Sequence, residues 1–294
     1  MDKIKVKVVC DWDSDYNISN IFRDIWYNND ISESIELVYN DVYDYLIILN
    51  KYKHQIQCPI ENCIAFIMEP SWSQNWDRNL GTYVSKIYSH INFDQKCQFN
   101  PSVMTTHLFP KPINIGEIQY VENNINTISN TKYHKTKKLS IVVSNISEYK
   151  RYNFVEDLLS SDLEFDMYGR GWNITDRRYK GYVENKLDAI KDYQFSICME
   201  NSVEDGYITE KFIDSILCET VPIYYGSKGV ENWYGGDCFE YIDVENDSID
   251  KIKEIISNNK IYNFEKAKNF YLNINNPFNI LLKYINNNDT NNNT

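Results

Sequence analysis

Short apolar runs alternate with longer segments of helical period along most of the chain. Runs of about four to eight apolar residues are typical of buried strands, and apolar residues three and four apart are typical of helices. In the first half, strands are predicted at 3–10, 45–49 and 63–68, and weaker, helix-like or loop-rich segments at 18–27 and 80–91. In the second half, strands are predicted at 139–143, 165–169, 195–199 and 221–226, and helices near 151–160, 184–193, 208–217, 248–259 and 263–285.

Two successive series of this kind predict an α/β fold with two Rossmann-like doubly wound domains that face a central cleft. We expect an N-terminal domain over residues 1–111, a linker over 112–138 and a C-terminal domain over 139–285. The linker is rich in Asn and Thr, and its basic run 132–138 is interpreted as a solvated face or, less often, as an anion-binding segment. The Asn- and Thr-rich residues 286–294 predict a disordered tail.

Charge and cysteine content narrow the class of protein. The formal net charge of -12 argues against a general binder of nucleic acid or anionic membranes, because neutralising phosphates takes a surplus of Lys and Arg. No apolar stretch approaches the roughly 20 residues of a membrane-spanning helix, and the N-terminus lacks the apolar core of a signal peptide. The seven cysteines are scattered and odd in number, which favours a reducing compartment. We therefore expect a soluble cytoplasmic protein, or one of the host cytoplasm if the source is viral.

A polar segment between two predicted strands carries the strongest candidate chemistry. Its sequence is Glu200-Asn201-Ser202-Val203-Glu204-Asp205-Gly206-Tyr207-Ile208-Thr209-Glu210-Lys211. It leads into a helix, and at a helix N-terminus the unpaired backbone N–H groups and the helix dipole favour an anion. Lys211 falls in the first helical turn, where a cation is unfavourable unless a negative group lies nearby. A bound diphosphate would supply that negative charge.

These residues closely resemble the donor-binding signature of the α-1,3-fucosyltransferase family. The resemblance covers E-N-S, a short variable loop, Y-I-T-E-K, a helix and a V-P-I strand that leads to Gly226. Several of the matching positions are polar, and a generic nucleotide-binding crossover explains the apolar spacing but not E-N-S or T-E-K. The resemblance implies an inverting glycosyltransferase of the two-Rossmann GT-B type, which would move L-fucose from GDP-fucose to a hydroxyl of a glycan acceptor.

The resemblance also implies which residues hold the donor. Lys211 and Arg151 would stabilise the leaving diphosphate, and Glu210, as a carboxylate, would accept hydrogen bonds from ribose hydroxyls. Tyr168-Gly169-Arg170 is similar to the family's Y-G-R at a strand end. For the arginines a plain surface role stays open, and for Glu210 a helix-dipole role. The expected donor-binding residues are Lys150, Arg151, Tyr168, Gly169, Arg170, Glu200, Asn201, Tyr207, Thr209, Glu210 and Lys211.

Glu69 is the candidate catalytic base. It directly follows the predicted strand 63–68, and a carboxylate at the C-terminal end of a strand points into the cleft of an open α/β sheet. The family carries a glutamate in an E-[SN]-P or E-x-P-like context after the corresponding strand, whereas this chain has Glu69-Pro70-Ser71. The alignment can therefore slip by one residue, and an ordinary strand-end acid is the alternative.

Other residues near predicted N-terminal strand ends are candidates for the acceptor side. Asp11 and Asp13 would bind sugar hydroxyls, and Trp12, Trp72 and Trp76 would stack on sugar faces, although tryptophans often serve packing alone. Asp11-Trp12-Asp13 also resembles the D-x-D opening of haloacid-dehalogenase-type phosphatases and the D-x-D metal clamp of single-Rossmann glycosyltransferases. The phosphatase would need a later acidic pair at a strand end, and the clamp type does not explain Y-I-T-E-K.

The expected partners are a nucleotide-sugar donor and a glycan acceptor, without nucleic acid. No metal site and no required cofactor are expected, since the cations and the helix N-terminus would stabilise the diphosphate. Stimulation by Mn²⁺ or Mg²⁺ is not predicted. Two alternatives stay open, namely the same fold with another GDP- or UDP-sugar as donor, and a non-catalytic carbohydrate-binding protein. The acceptor, the linkage and the oligomeric state are also open.

Overall fold

The described residues form parallel strands with helices between them. This structure, a computed structural model, describes residues 2–109, 124–144, 149–247 and 249–292. The strands are β1 (Ile4–Val9), β2 (Ile35–Leu37), β3 (Tyr45–Leu49), β4 (Cys63–Phe66), β5 (Lys86–Ser89), β6 (Cys97–Phe99), β7 (Lys137–Val142), β8 (Asp166–Tyr168), β9 (Tyr193–Met199), β10 (Val221–Tyr225) and β11 (Glu240–Tyr241). The α-helices are α1 (Asp15–Trp26), α2 (Asn29–Ser34), α3 (Ile125–Asn130), α4 (Tyr149–Ser160), α5 (Glu210–Leu217), α6 (Val230–Tyr234), α7 (Ile249–Ser257), α8 (Glu265–Asn269) and α9 (Pro277–Asn292).

The described residues divide into two units, each built on one parallel sheet. The strand order is β2-β1-β3-β4-β5-β6 in unit 1 and β11-β10-β9-β7-β8 in unit 2. In both orders the chain lays its second strand on one side of the first and all later strands on the other side, which is the doubly wound arrangement. Two Rossmann-like α/β domains are therefore confirmed. Unit 1 spans Met1–Thr105, Glu204–Tyr207 and Asn269–Thr294, and unit 2 spans Thr106–Val203 and Ile208–Lys268.

The core of unit 1 forms where its strands are apolar on both faces. Leu46 to Leu49 in β3 are all fully buried, as a parallel strand covered by helices on two sides requires. Helix α1 begins after Ser14, its N-cap residue, whose side chain accepts a hydrogen bond from the Asn17 N–H. Its apolar residues recur at helical spacing, so Phe22 and Trp26 are buried on one face.

In unit 2, β7 and β9 are neighbours in the interior of the sheet and, like β3, carry buried apolar residues. Their pairing sets Leu139 opposite Phe195 and Ile141 opposite Ile197, and these side chains belong to one apolar cluster. Helix α5 follows β9 and begins after Thr209, its N-cap residue. The carboxyl ends of β7 and β9, where the chain connections diverge to opposite sides, are the place where α/β folds of this kind bind ligands.

Most predicted strands are confirmed, but two segments predicted as helical or loop-rich differ. Residues 80–91 form a 3-10 turn at Leu80–Thr82 and then β5, because Ile87 and Tyr88 pair into the sheet and are buried there. Residues 184–193 hold only the 3-10 turn Lys186–Ala189, since the chain is already extended in β9 from Tyr193. The short strands β2, β6 and β11 were not predicted at all.

The predicted linker and tail also have structure where they are described. Residues 112–123 of the predicted linker lie outside the described residues, and its later part forms α3 and the start of β7. The basic run is not simply a solvated face, because the Lys135 ammonium donates to the carbonyls of Lys191 and Cys218 and to the Thr220 hydroxyl. Helix α9 extends to Asn292, whereas disorder was expected from residue 286, since a helix that has started adds each further residue at little cost.

Candidate functional site

A pocket of about 340 Å³ opens at the carboxyl edge of the unit 2 sheet, beside β7 and β9. The loops after β7, β8 and β9 contribute to its wall, as do the starts of α4 and α5. Its charged lining comprises the cations Arg151, Lys186 and Lys211 and the carboxylates Glu184 and Glu210. The remaining lining residues are His107, Phe109, Val142, Val143, Ser144, Gly169, Tyr182, Val183 and Asn201.

Gly169 allows two strand-end loops to approach each other at the pocket wall. A Cβ at this position would lie 1.9 Å from the Val143 carbonyl oxygen, and the φ of +147° disfavours any L side chain. The neighbouring Arg170 N–H donates to the Ser144 hydroxyl at 3.2 Å. The Y-G-R motif therefore contributes to the pocket wall through the backbone of Gly169, which approaches the loop after β7 closely.

Beneath the pocket, Glu200 fixes the start of α5. This carboxylate is 1% exposed and accepts hydrogen bonds from the Thr209 N–H at 2.7 Å and the Thr209 hydroxyl at 2.6 Å. Burial raises the pKa of Glu200, and the charge of Lys211 and the Thr209 donors oppose that rise. The E-N-S and T-E-K parts of the signature thus meet directly, through one buried acid and one threonine.

Lys211 is held as a charged ammonium at the helix start. Its Nζ lies 3.2 Å from a Glu210 oxygen, 3.5 Å from a Glu200 oxygen and 3.0 Å from the Thr209 hydroxyl oxygen. Burial lowers the pKa of Lys211, but Glu210 and Glu200 outweigh it and the net pKa is raised. Burial likewise raises the pKa of Glu210, while Lys211, His107 and Lys186 bring it well below its usual range. Both groups are therefore ionised in the pocket at neutral pH.

Lys186 is a third pocket cation that the sequence did not single out. Its ammonium lies 2.8 Å from an Asp214 oxygen, and Asp214 is fully buried. Burial lowers the pKa of Lys186, but Asp214 and Glu210 raise it above its ordinary value. Asp214 also accepts hydrogen bonds from the Thr106 hydroxyl and the His107 N–H. One signal in the sequence could have pointed to Lys186. Asp214 lies among the apolar residues of helix α5, and a buried carboxylate needs a partner.

Arg151 and Lys150 lie next to each other in sequence but in different surroundings. Arg151 is 6% exposed, lines the pocket and is near enough to Lys211 to lower the pKa of that lysine. The Lys150 ammonium is half-exposed and pairs with Glu245 at 2.7 Å, and Lys150 does not line the pocket. Of the two expected cations, the pocket therefore contains Arg151.

Five other expected donor-binding residues do not line this pocket, namely Tyr168, Arg170, Glu200, Tyr207 and Thr209. The Tyr168 hydroxyl bonds to the Tyr193 hydroxyl at 2.8 Å, and Tyr207 is buried in unit 1. The Arg170 guanidinium stacks 3.8 Å from the centre of the Tyr182 ring, which itself lines the pocket. Glu200 and Thr209 lie below the wall, whereas Gly169, Asn201, Glu210 and Lys211 lie in it.

In unit 1, Glu69 follows β4 by three residues and is half-buried. Its carboxylate accepts a hydrogen bond from the Ser73 hydroxyl at 2.9 Å. The turn from Glu69 to Ser73 is closed by the Ser73 N–H, which donates to the Pro70 carbonyl at 3.0 Å. The acid is thus oriented by a neighbouring hydroxyl and still partly open to solvent.

The expected acceptor-side residues of unit 1 divide into two groups. Trp12 and Trp72 are 51% and 63% exposed and offer ring faces to a ligand. Trp76 differs from the expectation, because it is 5% exposed, donates its indole N–H to the Pro70 carbonyl and packs on Phe93. Its ring therefore packs inside unit 1 and is not exposed for stacking on a sugar.

Asp11 and Asp13 line a second pocket of about 280 Å³ at the end of β1. Asp11 pairs with Lys51 at 3.1 Å and Lys53 at 3.7 Å. Asp13 accepts from the Ser14 N–H and the Asn17 side-chain amide at the start of α1. Both carboxylates thus have protein partners, which does not favour the D-x-D metal or phosphatase interpretations.

Comparisons with known proteins match the unit 2 sequence and the whole fold. Residues 132–263 match the family model described as Glycosyltransferase family 10 (fucosyltransferase) C-term. A putative fucosyltransferase-like protein of Arabidopsis thaliana is 27% identical over 165 residues, which are 55% of this chain and 31% of that protein. Alpha-(1,3)-fucosyltransferase FucT of Helicobacter pylori is 37% identical over 90 residues, which are 29% of this chain and 19% of that protein. The resemblance to fucosyltransferases is therefore confirmed for this part of the chain.

Among solved structures, the crystal structure of alpha1,3-fucosyltransferase with GDP-fucose covers 97% of this chain and 90% of that one. The TM-score is 0.55 at 19% identity, which establishes a shared fold. The chain spans less than a third of the length of the two curated relatives named above. Within the described residues, no helix combines the length and apolar character needed to cross a bilayer.

Proposed function

We propose that this chain is an inverting glycosyltransferase that moves L-fucose from GDP-fucose to a hydroxyl of a glycan acceptor. The observation that supports it most is the convergence of Arg151, Lys186 and Lys211 on one pocket at the carboxyl edge of β7 and β9. A diphosphate is the ligand class that such a cation set at a helix N-terminus favours. The match of residues 132–263 to the fucosyltransferase family supports fucose as the sugar.

In this proposal different pocket residues bind different parts of the donor. The three cations neutralise the two phosphates and stabilise the charge that develops on the leaving GDP. Glu210 and Asn201 bind ribose or fucose hydroxyls, since a carboxylate accepts and an amide both donates and accepts. Glu200 and Thr209 act from below, by fixing the backbone that carries Glu210 and Lys211.

The transfer itself needs a base on the acceptor side, and we assign that role to Glu69. The acceptor oxygen forms a bond to C1 of fucose while the bond from C1 to the phosphate oxygen breaks. The electron pair of that bond leaves with GDP, and the proton of the acceptor hydroxyl passes to the Glu69 carboxylate. Because the attack comes from the side opposite to GDP, the configuration at C1 inverts.

No divalent metal is required in this proposal, because the lysines and the arginine stabilise the leaving group. Transfer is therefore expected to continue in excess EDTA. Loss of all activity in EDTA, with recovery on adding Mn²⁺, would contradict the metal-independent mechanism while leaving the donor assignment intact.

Thermal-shift measurements with sugar nucleotides, followed by transfer assays, test the proposal. GDP and GDP-fucose are expected to raise Tm, while UDP, UDP-galactose and UDP-N-acetylglucosamine are not. Release of GDP should then depend on a galactosyl or N-acetylglucosaminyl acceptor. Stabilisation by a UDP-sugar alone would overturn the fucose assignment. Binding of GDP-fucose without turnover on any acceptor of the panel would favour the non-catalytic carbohydrate-binding alternative.

A further inference from the structure

The middle of the signature loop, Glu204–Tyr207, belongs to unit 1 and is firmly held there. The Gly206 carbonyl accepts a hydrogen bond from the Ser102 N–H at 2.9 Å. Gly206 has a φ of +76°, and a Cβ added there would lie 3.0 Å from both His90 and Phe99. A close approach of this kind needs glycine, so the loop has one defined path through unit 1.

With the loop held in this position, Glu204 contacts Ser71, which lies two positions after Glu69. Its two carboxylate oxygens lie 2.9 and 3.2 Å from the Ser71 nitrogen and accept its N–H. His90 lies 3.6 Å away, but burial lowers the pKa of this imidazole to about 4 and Glu204 raises it only in part. The histidine is therefore neutral at pH 7, whereas the hydrogen bond from the Ser71 N–H to the Glu204 carboxylate is charge-assisted.

The backbone carbonyl of Ser71 also has a hydrogen-bond partner. Arg78 donates to the Ser71 carbonyl at 3.0 Å and to the Ser73 carbonyl at 3.2 Å. Ser73 in turn donates its hydroxyl to Glu69 at 2.9 Å. Glu204 thus accepts a hydrogen bond from the Ser71 N–H, and Arg78 donates to two carbonyls of the same short turn. The orientation of Glu69 depends on that turn.

We propose that Glu204 is a positioning residue for Glu69, and that its bond to the Ser71 amide fixes the turn that carries the base. This inference rests on the proposed function, in which Glu69 takes the acceptor proton. Glu204 contacts no reacting atom in this scheme and acts only through Glu69. A misplacement of about 1 Å in a catalytic group costs on the order of 100-fold in rate, so a loosened turn has a measurable effect.

The first test compares three variants in steady-state transfer assays. Glu204→Ala is expected to lower kcat by roughly 10- to 100-fold with the KM for GDP-fucose nearly unchanged. Glu204→Gln keeps a carbonyl oxygen that accepts the Ser71 N–H, so it should recover most of kcat. Asp44→Ala is the matched control, because Asp44 is an exposed carboxylate of unit 1 that accepts the backbone N–H of Lys5 at 2.8 Å. It should leave kcat unchanged, and a kcat in Glu204→Ala as high as in this control would overturn the proposal.

A double-mutant cycle tests whether Glu204 acts through the base. In a Glu69→Gln background, Glu204→Ala should add little further loss of kcat, since the group it positions is already unable to take the proton. An equal loss in both backgrounds would show that Glu204 contributes independently of Glu69, and the proposal would be wrong.

Hydrogen–deuterium exchange separates this inference from the proposed function, because it needs no substrate. The Ser71 amide is expected to exchange faster in Glu204→Ala than in the wild-type chain or in Asp44→Ala, with the rest of unit 1 unchanged. Unaltered exchange at Ser71 would overturn the positioning role even if fucose transfer is found. Faster exchange in a chain that uses another donor would retain the positioning of the turn and overturn the fucose assignment alone.

Discussion

The carboxylate of Glu200 and the hydroxyl of Thr209 lie 2.6 Å apart, and both residues are buried. This bond and the parallel one from the Thr209 N–H join the end of β9 to the first turn of α5 across the signature loop. The spacing of E-N-S and T-E-K in the sequence thus has a structural reason. A buried acid at the strand end needs donors, and the N-cap residue of the next helix supplies two of them.

Thr209→Val is expected to destabilise unit 2 by about 2–3 kcal/mol, because it removes a hydrogen bond from a buried charge while nearly preserving shape. Thr209→Ser keeps the hydroxyl and should lose much less. Urea unfolding of both variants measures the difference. Equal stability of the Val and Ser variants would show that the hydroxyl bond contributes nothing.

Lys211→Ala and Arg151→Ala are each expected to weaken GDP binding by roughly 10- to 150-fold, the effect of losing a charge-assisted bond of about 1.5–3 kcal/mol. Lys150→Ala is the matched control, since its ammonium pairs with Glu245 and not with the pocket. Titration calorimetry with GDP measures all three. Lys211→Arg, which keeps a positive charge beside Glu200 and Glu210, checks that any loss reflects the ligand and not the fold. Weakening in the Lys150 variant alone would place the phosphates elsewhere.

Gly169→Ala is expected to destabilise unit 2 by about 2–4 kcal/mol, because the new Cβ would collide with the Val143 carbonyl in a backbone conformation that disfavours side chains. Gly181→Ala provides the comparison, since Gly181 also has a positive φ, +81°, but nothing within 4 Å of its Cβ position. It should cost only about 1 kcal/mol. A similar fall in Tm for both variants would argue that the close approach at Gly169 is unimportant.

The sequence predicted the fold well where burial is complete. Strands such as β3 and β10 are apolar along their whole length, and the helix after Thr209 has a regular apolar face, so pattern alone located them. The pattern failed for β5, where Lys86 and Ser89 flank a short apolar pair and only pairing with β4 makes the segment a strand.

The site was predictable only where motif and position in the fold coincide. Glu210 and Lys211, in the signature segment after β9, and Arg151, in α4 after β7, line the pocket. Lys186 was missed because its role depends on Asp214, 28 residues away, and no local pattern records such a pair. Lys150 and Tyr168 were expected in the pocket because sequence gives a residue's neighbours but not the direction of its side chain.

Glu69→Gln is expected to lower kcat by roughly 100- to 10,000-fold, the usual scale for losing a general base, with the donor KM little changed. The fold should persist, because glutamine still accepts the hydrogen bond from the Ser73 hydroxyl. Rapid-quench measurement of transfer and an unchanged Tm would confirm the assignment. Transfer at near wild-type rate would move the role to another acid of unit 1, with Asp11 and Asp13 the next to test.

The stability of unit 1 should depend on His90 between pH 7 and 5. Burial lowers the pKa of His90 to about 4, below its ordinary value of 6.5, so the folded chain holds it neutral where the unfolded chain already binds a proton. The unfolded state therefore gains protons first as the pH falls, and the free energy of unfolding should drop by about 1–2 kcal/mol across this window. Below about pH 4 both states bind the proton and this contribution stops changing. His90→Gln should remove the dependence, whereas His54→Gln, at an exposed position, should keep it. Urea unfolding at pH 7, 6 and 5 measures it, and an unchanged slope in the His90 variant would show that this histidine is not the group responsible.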